Sequence, residues 1–271
     1  NNYFYSRFVN MYFIDTHAHL FAKEFNNDNE QIINRAIDAN VKKIILPNIN
    51  DSSILPLTEM CKKYPKNCFP MIGLHPCEVK DDFTNQLDFF EKWLNDKKNK
   101  AVGIGEIGID LYWDKSSLKI QEKAFEAQIK LAKKFKLPIA IHVRESFNEV
   151  FKIIDALNDE KLKGVFHCFT GNEKQALHII NYKNFKLGIG GVLTFKNSQL
   201  SKTLKNIPLK HIVLETDSPY LAPHPHRGKR NESSYLILIA KKLTEIYNVS
   251  LEEIANTTTK NAEDLFNLNL R

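Results

Sequence analysis

The sequence predicts an α/β fold, an eight-stranded (β/α)8 barrel. Three observations point to it. Eight short apolar runs alternate with amphipathic stretches of about 10–20 residues, the pattern of strands separated by crossover helices. The runs are apolar almost throughout, as strands covered on both faces are. Eight such units fill a chain of 271 residues, the usual size of a TIM barrel. A doubly wound open sheet is the competing arrangement.

The strands are expected over 12–17, 43–49, 69–75, 101–107, 138–144, 164–169, 186–192 and 211–216. The clearest helix spans 117–136, where Phe125, Ile129 and Ala132 fall at i, i+4 and i+7. Pro138 stops it and opens the next strand. Helices near 234–247, 250–256 and 259–266 close the chain. No low-complexity linker or charge block divides it. Residues 11–271 are therefore read as one domain, and residues 1–10 as an N-terminal extension outside the fold. That extension is polar and aromatic with no apolar core, so it is not a signal peptide.

Composition narrows the function classes. Hydrophobic residues make up 43% and charges are mixed, which excludes intrinsic disorder. No apolar run approaches the length of a membrane span. Cys61, Cys68, Cys77 and Cys168 form no C-x-x-C pair and read as reduced thiols. A cytoplasmic monomer is expected, with a nuclear location open in a eukaryotic cell. The net charge of +6 permits a polyanionic substrate without requiring one.

The chemistry lies in what ends the strands. The first ends in Asp15-Thr16-His17-Ala18-His19. Side chains two apart on an extended segment share a face, so His17 and His19 are a metal-ligand pair. The fourth carries Glu106 among glycines that permit close approach of neighbouring groups. Its G-x-G-x-x-G resemblance is rejected, because 109–113 does not open a helix. The fifth ends in His142 and Arg144, the sixth in His167 and the eighth in Glu215 and Asp217, each pair on one face. His17, His19, Glu106, His142, His167 and Asp217 thus come from the C-terminal ends of five strands, where barrel active sites form.

Six nitrogen and oxygen donors suggest two divalent ions, Mg²⁺, Mn²⁺ or Zn²⁺, bridged by Glu106. Cys168 is expected to face away by strand alternation. Such ions activate water, so the reaction is a hydrolysis. His75, closing the third strand, is a catalytic candidate beside Glu106, Asp217 and Glu215. Arg144, with Arg227, Lys229 and Arg230 on the loop after the eighth strand, suits a phosphate. Tyr112 and Trp113 suit stacking on the bases of a single strand.

The segments 15–19, 73–76, 105–110, 141–144, 167–171, 214–220 and 228–232, in this order, resemble the TatD family of metal-dependent deoxyribonucleases. The resemblance implies a TIM-barrel hydrolase domain over 11–271 with two divalent metals and DNA as substrate. It implies metal ligands at His17, His19, Glu106, His142, His167 and Asp217, and a role in activity for Glu215. The chain departs from the family pattern at Ser233, where proline is usual, which touches the rigidity of the basic loop. Two other functions compete. One is an ester or amide hydrolase of the wider amidohydrolase type, such as an aminoacyl-tRNA deacylase. Many of those enzymes bridge their metals with a modified lysine on the fourth strand, where this chain has Glu106 and no lysine. The other is an inactive binding barrel, which the complete donor set argues against.

Overall fold

The computed structural model of the chain describes residues 11–268. The expected extension over 1–10 lies outside the described residues. In chain order the elements are β1 (Phe13–Asp15), α1 (Asn29–Asp38), β2 (Val41–Pro47), α2 (Ile54–Lys63), β3 (Cys68–Ile72), α3 (Phe83–Asn95), β4 (Gly103–Asp110) and α4 (Leu118–Phe135). They continue as β5 (Ile139–Arg144), α5 (Phe147–Leu157), β6 (Gly164–Phe166), α6 (Glu173–Asn181), β7 (Phe185–Ile189), α7 (Leu200–Leu204) and β8 (Ile212–Leu214). Two helices follow, α8 (Leu236–Tyr247) and α9 (Leu251–Phe266). The strands pair in the order β1 to β8, and every ladder between neighbours is parallel. The fold is a nearly closed TIM barrel, not an open sheet.

Alternation along the strands splits the apolar residues between two cores. Phe13, Ile44, Leu46, Ile72, Ile104, Ile139 and Ile141 pack in one cluster with the surrounding helices. Ile14, Ile45, Met71, Ala140, Val165 and Val213 form a second cluster inside the barrel. Ala262, Leu265 and Phe266 of α9 join the inner cluster and floor it. The cluster is apolar, so it serves as a floor, and the ionisable strand ends lie at the opposite end of the barrel.

The last seam, between β1 and β8, is closed by single contacts instead of a ladder. The Thr16 amide donates to the Leu214 carbonyl at 2.9 Å and the Asp217 amide to the His17 carbonyl at 2.8 Å. Ala18 and Ser218 form an isolated parallel bridge. Beneath them the buried Asp15 carboxylate accepts from the Thr216 hydroxyl at 2.6 Å and its amide at 3.0 Å. Closure of the barrel and placement of His17, His19 and Asp217 are therefore one set of bonds.

The structure corrects several expected boundaries. β1, β6 and β8 stop at Asp15, Phe166 and Leu214, so their histidines and acids stand just beyond the strands. β4 runs on to Asp110. The two helices expected over 250–256 and 259–266 are one helix, α9. Threonine is a weak helix former, but Thr258 bonds back to the Ile254 carbonyl at 2.8 Å and Thr259 to the Tyr12 carbonyl at 2.8 Å. Tertiary contact overrides local propensity there. Among the described residues no helix is long and apolar enough to cross a membrane.

Candidate metal centre

Glu106 sits at the centre of the barrel mouth, buried, and its two oxygens face different partners. Oε2 lies 3.1 Å from His17 Nε2 and 3.5 Å from His19 Nε2. Oε1 lies 2.7 Å from His142 Nδ1, 3.5 Å from His75 Nε2 and 3.7 Å from His167 Nε2. Asp217 Oδ1 closes the other side, 3.6 Å from His19, 3.7 Å from His167 and 3.8 Å from His17. All six residues read as metal ligands thus converge, and His75 joins them.

Backbone geometry allows this crowding. At Gly108 φ is +144°, and a Cβ there would stand 2.1 Å from the His142 carbonyl oxygen, so only glycine lets β4 and β5 approach beside the site. At Gly188 a Cβ would stand 2.1 Å from Glu215 Oε2, so the missing side chain makes room for that carboxylate.

Each ring is held by its other nitrogen or by a neighbour. His19 Nδ1 donates to the Pro47 carbonyl at 3.2 Å, which leaves the lone pair of the neutral ring on Nε2, toward Glu106 and Asp217. His142 Nε2 lies 2.8 Å from Asp110 Oδ2. His167 Nδ1 lies 2.9 Å from Glu215 Oε1, off the line of a hydrogen bond. His75 is the reverse of His19. Its Nδ1 accepts from the Cys77 amide at 3.1 Å, so the neutral ring carries its proton on Nε2, the atom facing Glu106.

The electrostatics suit a cation. Burial pushes Glu106 up, but His75, His17, His167 and His142 outweigh it and hold the carboxyl well below the usual range. Burial pushes His19 and His167 down, but carboxylates outweigh it. Asp217 and Glu106 carry His19 up to about 9, and Glu215, Glu106 and Asp217 carry His167 up to about 10. His17 goes down to about 4, because burial and the adjacent His167 outweigh Glu106. Carboxylates that draw protons onto neighbouring imidazoles are equally served by a divalent ion in the protons' place.

The residues fit such an ion. His17, His19 and Asp217 each offer a donor atom within 4.8 Å of the others, and so do His75, Glu106 and His142. His17, His167 and Glu215 form a further group, and the buried Glu215 Oε2 has no protein partner.

One expectation from alternation is corrected, because β6 ends early. Cys168 does not face away. Its φ is +45°, and its sulfur lies within 4.8 Å of donor atoms of His167 and Asp217. Glu215 and Asp217 share the inward face, as expected, and both reach His167, Glu215 Oε1 at 2.9 Å from Nδ1 and Asp217 Oδ1 at 3.7 Å from Nε2. Asp217 has φ +58° and turns to the mouth, while Glu215 is fully buried between Gly188 and His167.

The residues read as substrate contacts lie on the rim and differ in their freedom. Arg144 is exposed, with its guanidinium 3.8 Å over the Tyr112 ring and 5.5 Å from that of Trp113, which is 72% exposed. Arg227 is exposed and stacks 3.6 Å over Phe195, and Lys229 is exposed. Arg230 is committed elsewhere, in a two-pronged pair with Asp28 at 2.8 and 2.6 Å. With Ser233 in it, the loop is still tied to the barrel. Asn231 Nδ2 donates to the Thr216 and Tyr220 carbonyls at 2.7 Å, and His226 stacks on Tyr235 at 4.0 Å.

Sequence reasoning passed over Asp110, which meets His142, and two buried glutamines of α4, Gln121 and Gln128, whose amides bond the backbone of Asp110 and Leu74. Asp110 had a signal, since it shares strand parity with Glu106. The glutamines had none, because a polar residue in an amphipathic helix reads as solvent-facing.

The comparisons agree with this geometry. The model of the TatD related DNase family matches residues 14–267. An uncharacterized metal-dependent hydrolase of Bacillus subtilis, YabD, is 40% identical over 94% of this chain and 99% of its own length. The crystal structure of YjjV, a TatD homolog of Escherichia coli, superposes with a TM-score of 0.89 at 29% identity, covering 94% of this chain and 98% of that one. An organophosphorus hydrolase mutant shares the fold alone, with a TM-score of 0.67 at 11% identity over 93% of this chain and 92% of its own. Seven ordered motifs, a barrel mouth lined with imidazoles and carboxylates, and a family match across nearly the whole chain place this protein in the TatD family of metal-dependent hydrolases.

Proposed function

We propose that the protein hydrolyses phosphodiester bonds of DNA at a centre of two divalent ions, Mg²⁺, Mn²⁺ or Zn²⁺. The ligands proposed are His17, His19, Glu106, His142, His167 and Asp217. The observation that carries the reading is the division of Glu106, with Oε2 toward His17 and His19 and Oε1 toward His75, His142 and His167. A carboxylate so placed would hold an ion together with the histidines on either side of it. When bound, such ions lower the pKa of water and stabilise the attacking and leaving oxygens of an in-line displacement.

The chain's own groups do the rest. Asp217 completes the His17 and His19 side, and Glu215 backs His167 from the buried side. His75 presents its Nε2–H into the site and serves as proton donor to a reacting oxygen, a role its Cys77 contact favours over metal ligation. Arg144 with Tyr112 and Trp113, and Arg227 with Lys229, give the rim cations and ring faces suited to phosphates and bases. Arg230, held by Asp28, braces the loop.

The test is a screen of the purified protein on single-stranded DNA, duplex DNA and acyl esters, with and without chelator, beside metal analysis. DNA cleavage abolished by EDTA and restored by one of the three ions is expected. Ester hydrolysis without DNA cleavage in any of them would overturn the substrate assignment.

A further inference from the structure

β3 stops at Ile72, and its ladder with β4 holds only Met71 with Gly103 and Ile72 with Ile104. β4 continues to Asp110, paired on its other side with β5 as far as Arg144. The backbone of Leu74 and the β3-facing edge of Asp110 thus leave the ladder while both residues are buried. Buried backbone groups require partners.

One helix supplies them. Gln128 Oε1 accepts from the Leu74 amide at 2.7 Å, and its Nε2 donates to the Leu74 carbonyl at 3.2 Å. Gln121 Oε1 accepts from the Asp110 amide at 2.8 Å, and its Nε2 donates to the Asp110 carbonyl at 3.0 Å. Both glutamines are buried on α4, seven residues and two turns apart on one face. A primary amide carries a donor and an acceptor, like a peptide unit, so each stands in for the missing strand.

What they hold is the site. Leu74 precedes His75. Asp110 Oδ2 meets His142 Nε2 at 2.8 Å, and Asp110 Oδ1 accepts from the Tyr112 amide at 3.0 Å. Tyr112 carries Arg144 at 3.8 Å.

We propose that Gln121 and Gln128 are positioning residues of this hydrolase. Gln128 fixes the backbone that aims His75, and Gln121 fixes Asp110 and through it both His142 and the Tyr112–Arg144 rim. The proposal rests on the metal-centre reading above, and not on which ester is cut.

The test uses the metal-loaded full chain. In the wild type, the Leu74 and Asp110 amides should exchange with deuterium as slowly as that of Ile104 within β4. Exchange at the rate of exposed loop amides would overturn the proposal without any variant. Gln121→Met and Gln128→Met, near in size, are then compared with Phe125→Leu, which disturbs the core face of the same helix without touching the site. Gln128→Met should speed exchange at Leu74, keep the wild-type metal content and KM, and lower kcat about tenfold or more, as misplacement by a fraction of an ångström does. Gln121→Met should speed exchange at Asp110 and weaken metal binding about 10–100-fold, the usual effect of losing an outer partner of a ligating histidine. If both track Phe125→Leu in exchange, metal content and kcat, the glutamines only pack the helix and the proposal falls. If the wild type cleaves no phosphodiester, the substrate assignment fails, while exchange and metal content still decide this one.

Discussion

At the scale of single residues, Glu106 and His75 face each other yet should fail differently. Glu106→Ala removes the central carboxylate, whose two oxygens face different halves of the donor cluster. We expect at least about a thousandfold loss of activity together with loss of bound metal, because occupancy and transition-state stabilisation depend on the same group. The fold should persist, since the inner core lies below Glu106 and is packed by other residues. Activity near wild type with full metal content would refute the bridge. His75→Ala should leave metal content unchanged and lower kcat about a hundredfold, the scale of a lost proton donor. Metal analysis separates the two, because a His75 that ligates would take metal with it when removed.

At the scale of elements, the loop after β8 leaves Arg227 and Lys229 exposed and commits Arg230 to Asp28. Arg227→Ala and Lys229→Ala should each flatten the salt dependence of DNA binding by about one unit of slope, since each released phosphate contact carries about that much. Hydrolysis of a small activated phosphodiester should be nearly unaffected. Arg230→Ala should instead lower the melting temperature, because Arg230 ties the loop to the segment before α1 through Asp28. Arg35 extends the tie to Glu232 at 2.6 Å. This brace has a pH signature. The Arg230 and Arg35 guanidiniums hold Asp28 below its ordinary value. Burial pushes Glu232 up, but Arg35 and Ser234 outweigh it and hold it low as well. A carboxyl with a depressed folded pKa stabilises fully above its unfolded value, near 4, and loses that contribution as pH falls through the folded value. The melting-temperature gap between wild type and Arg230→Ala should therefore be full above about pH 5 and shrink in more acid solution. A gap independent of pH down to the acid transition would show that the ion pair contributes nothing.

At the scale of the whole molecule, the apolar floor of the barrel lies apart from the donor cluster at its mouth. Phe266→Ala at the base of the inner cluster should cost about 3–5 kcal/mol by denaturant titration. Once the variant is folded, metal content should be unchanged. Chelation should do the opposite. Exhaustive EDTA should abolish hydrolysis and lower the melting temperature by removing a ligand that binds only the folded state, while far-ultraviolet circular dichroism stays that of the barrel.

The sequence by itself determined the architecture and which ionisable residues meet at the barrel mouth. Alternation of apolar runs with amphipathic helices is a local, repeated signal, and eight repeats leave few folds to choose from. A histidine or acid at the end of an apolar run is equally legible, which is why His17, His19, Glu106, His142, His167 and Asp217 were all named without coordinates. Rules of local geometry failed where a strand ended sooner than its apolar run. Cys168 takes positive φ just past β6, so alternation misplaced its sulfur. Pairings between distant segments were beyond reach of any local pattern. That Arg230 is spent on Asp28, 202 residues away in sequence, and that Gln128 bonds Leu74 across 54 residues, follow only from which surfaces the closed barrel brings together. Composition and spacing record what a segment can do. The partner of a buried polar group is fixed by the need to satisfy it once folding has removed water.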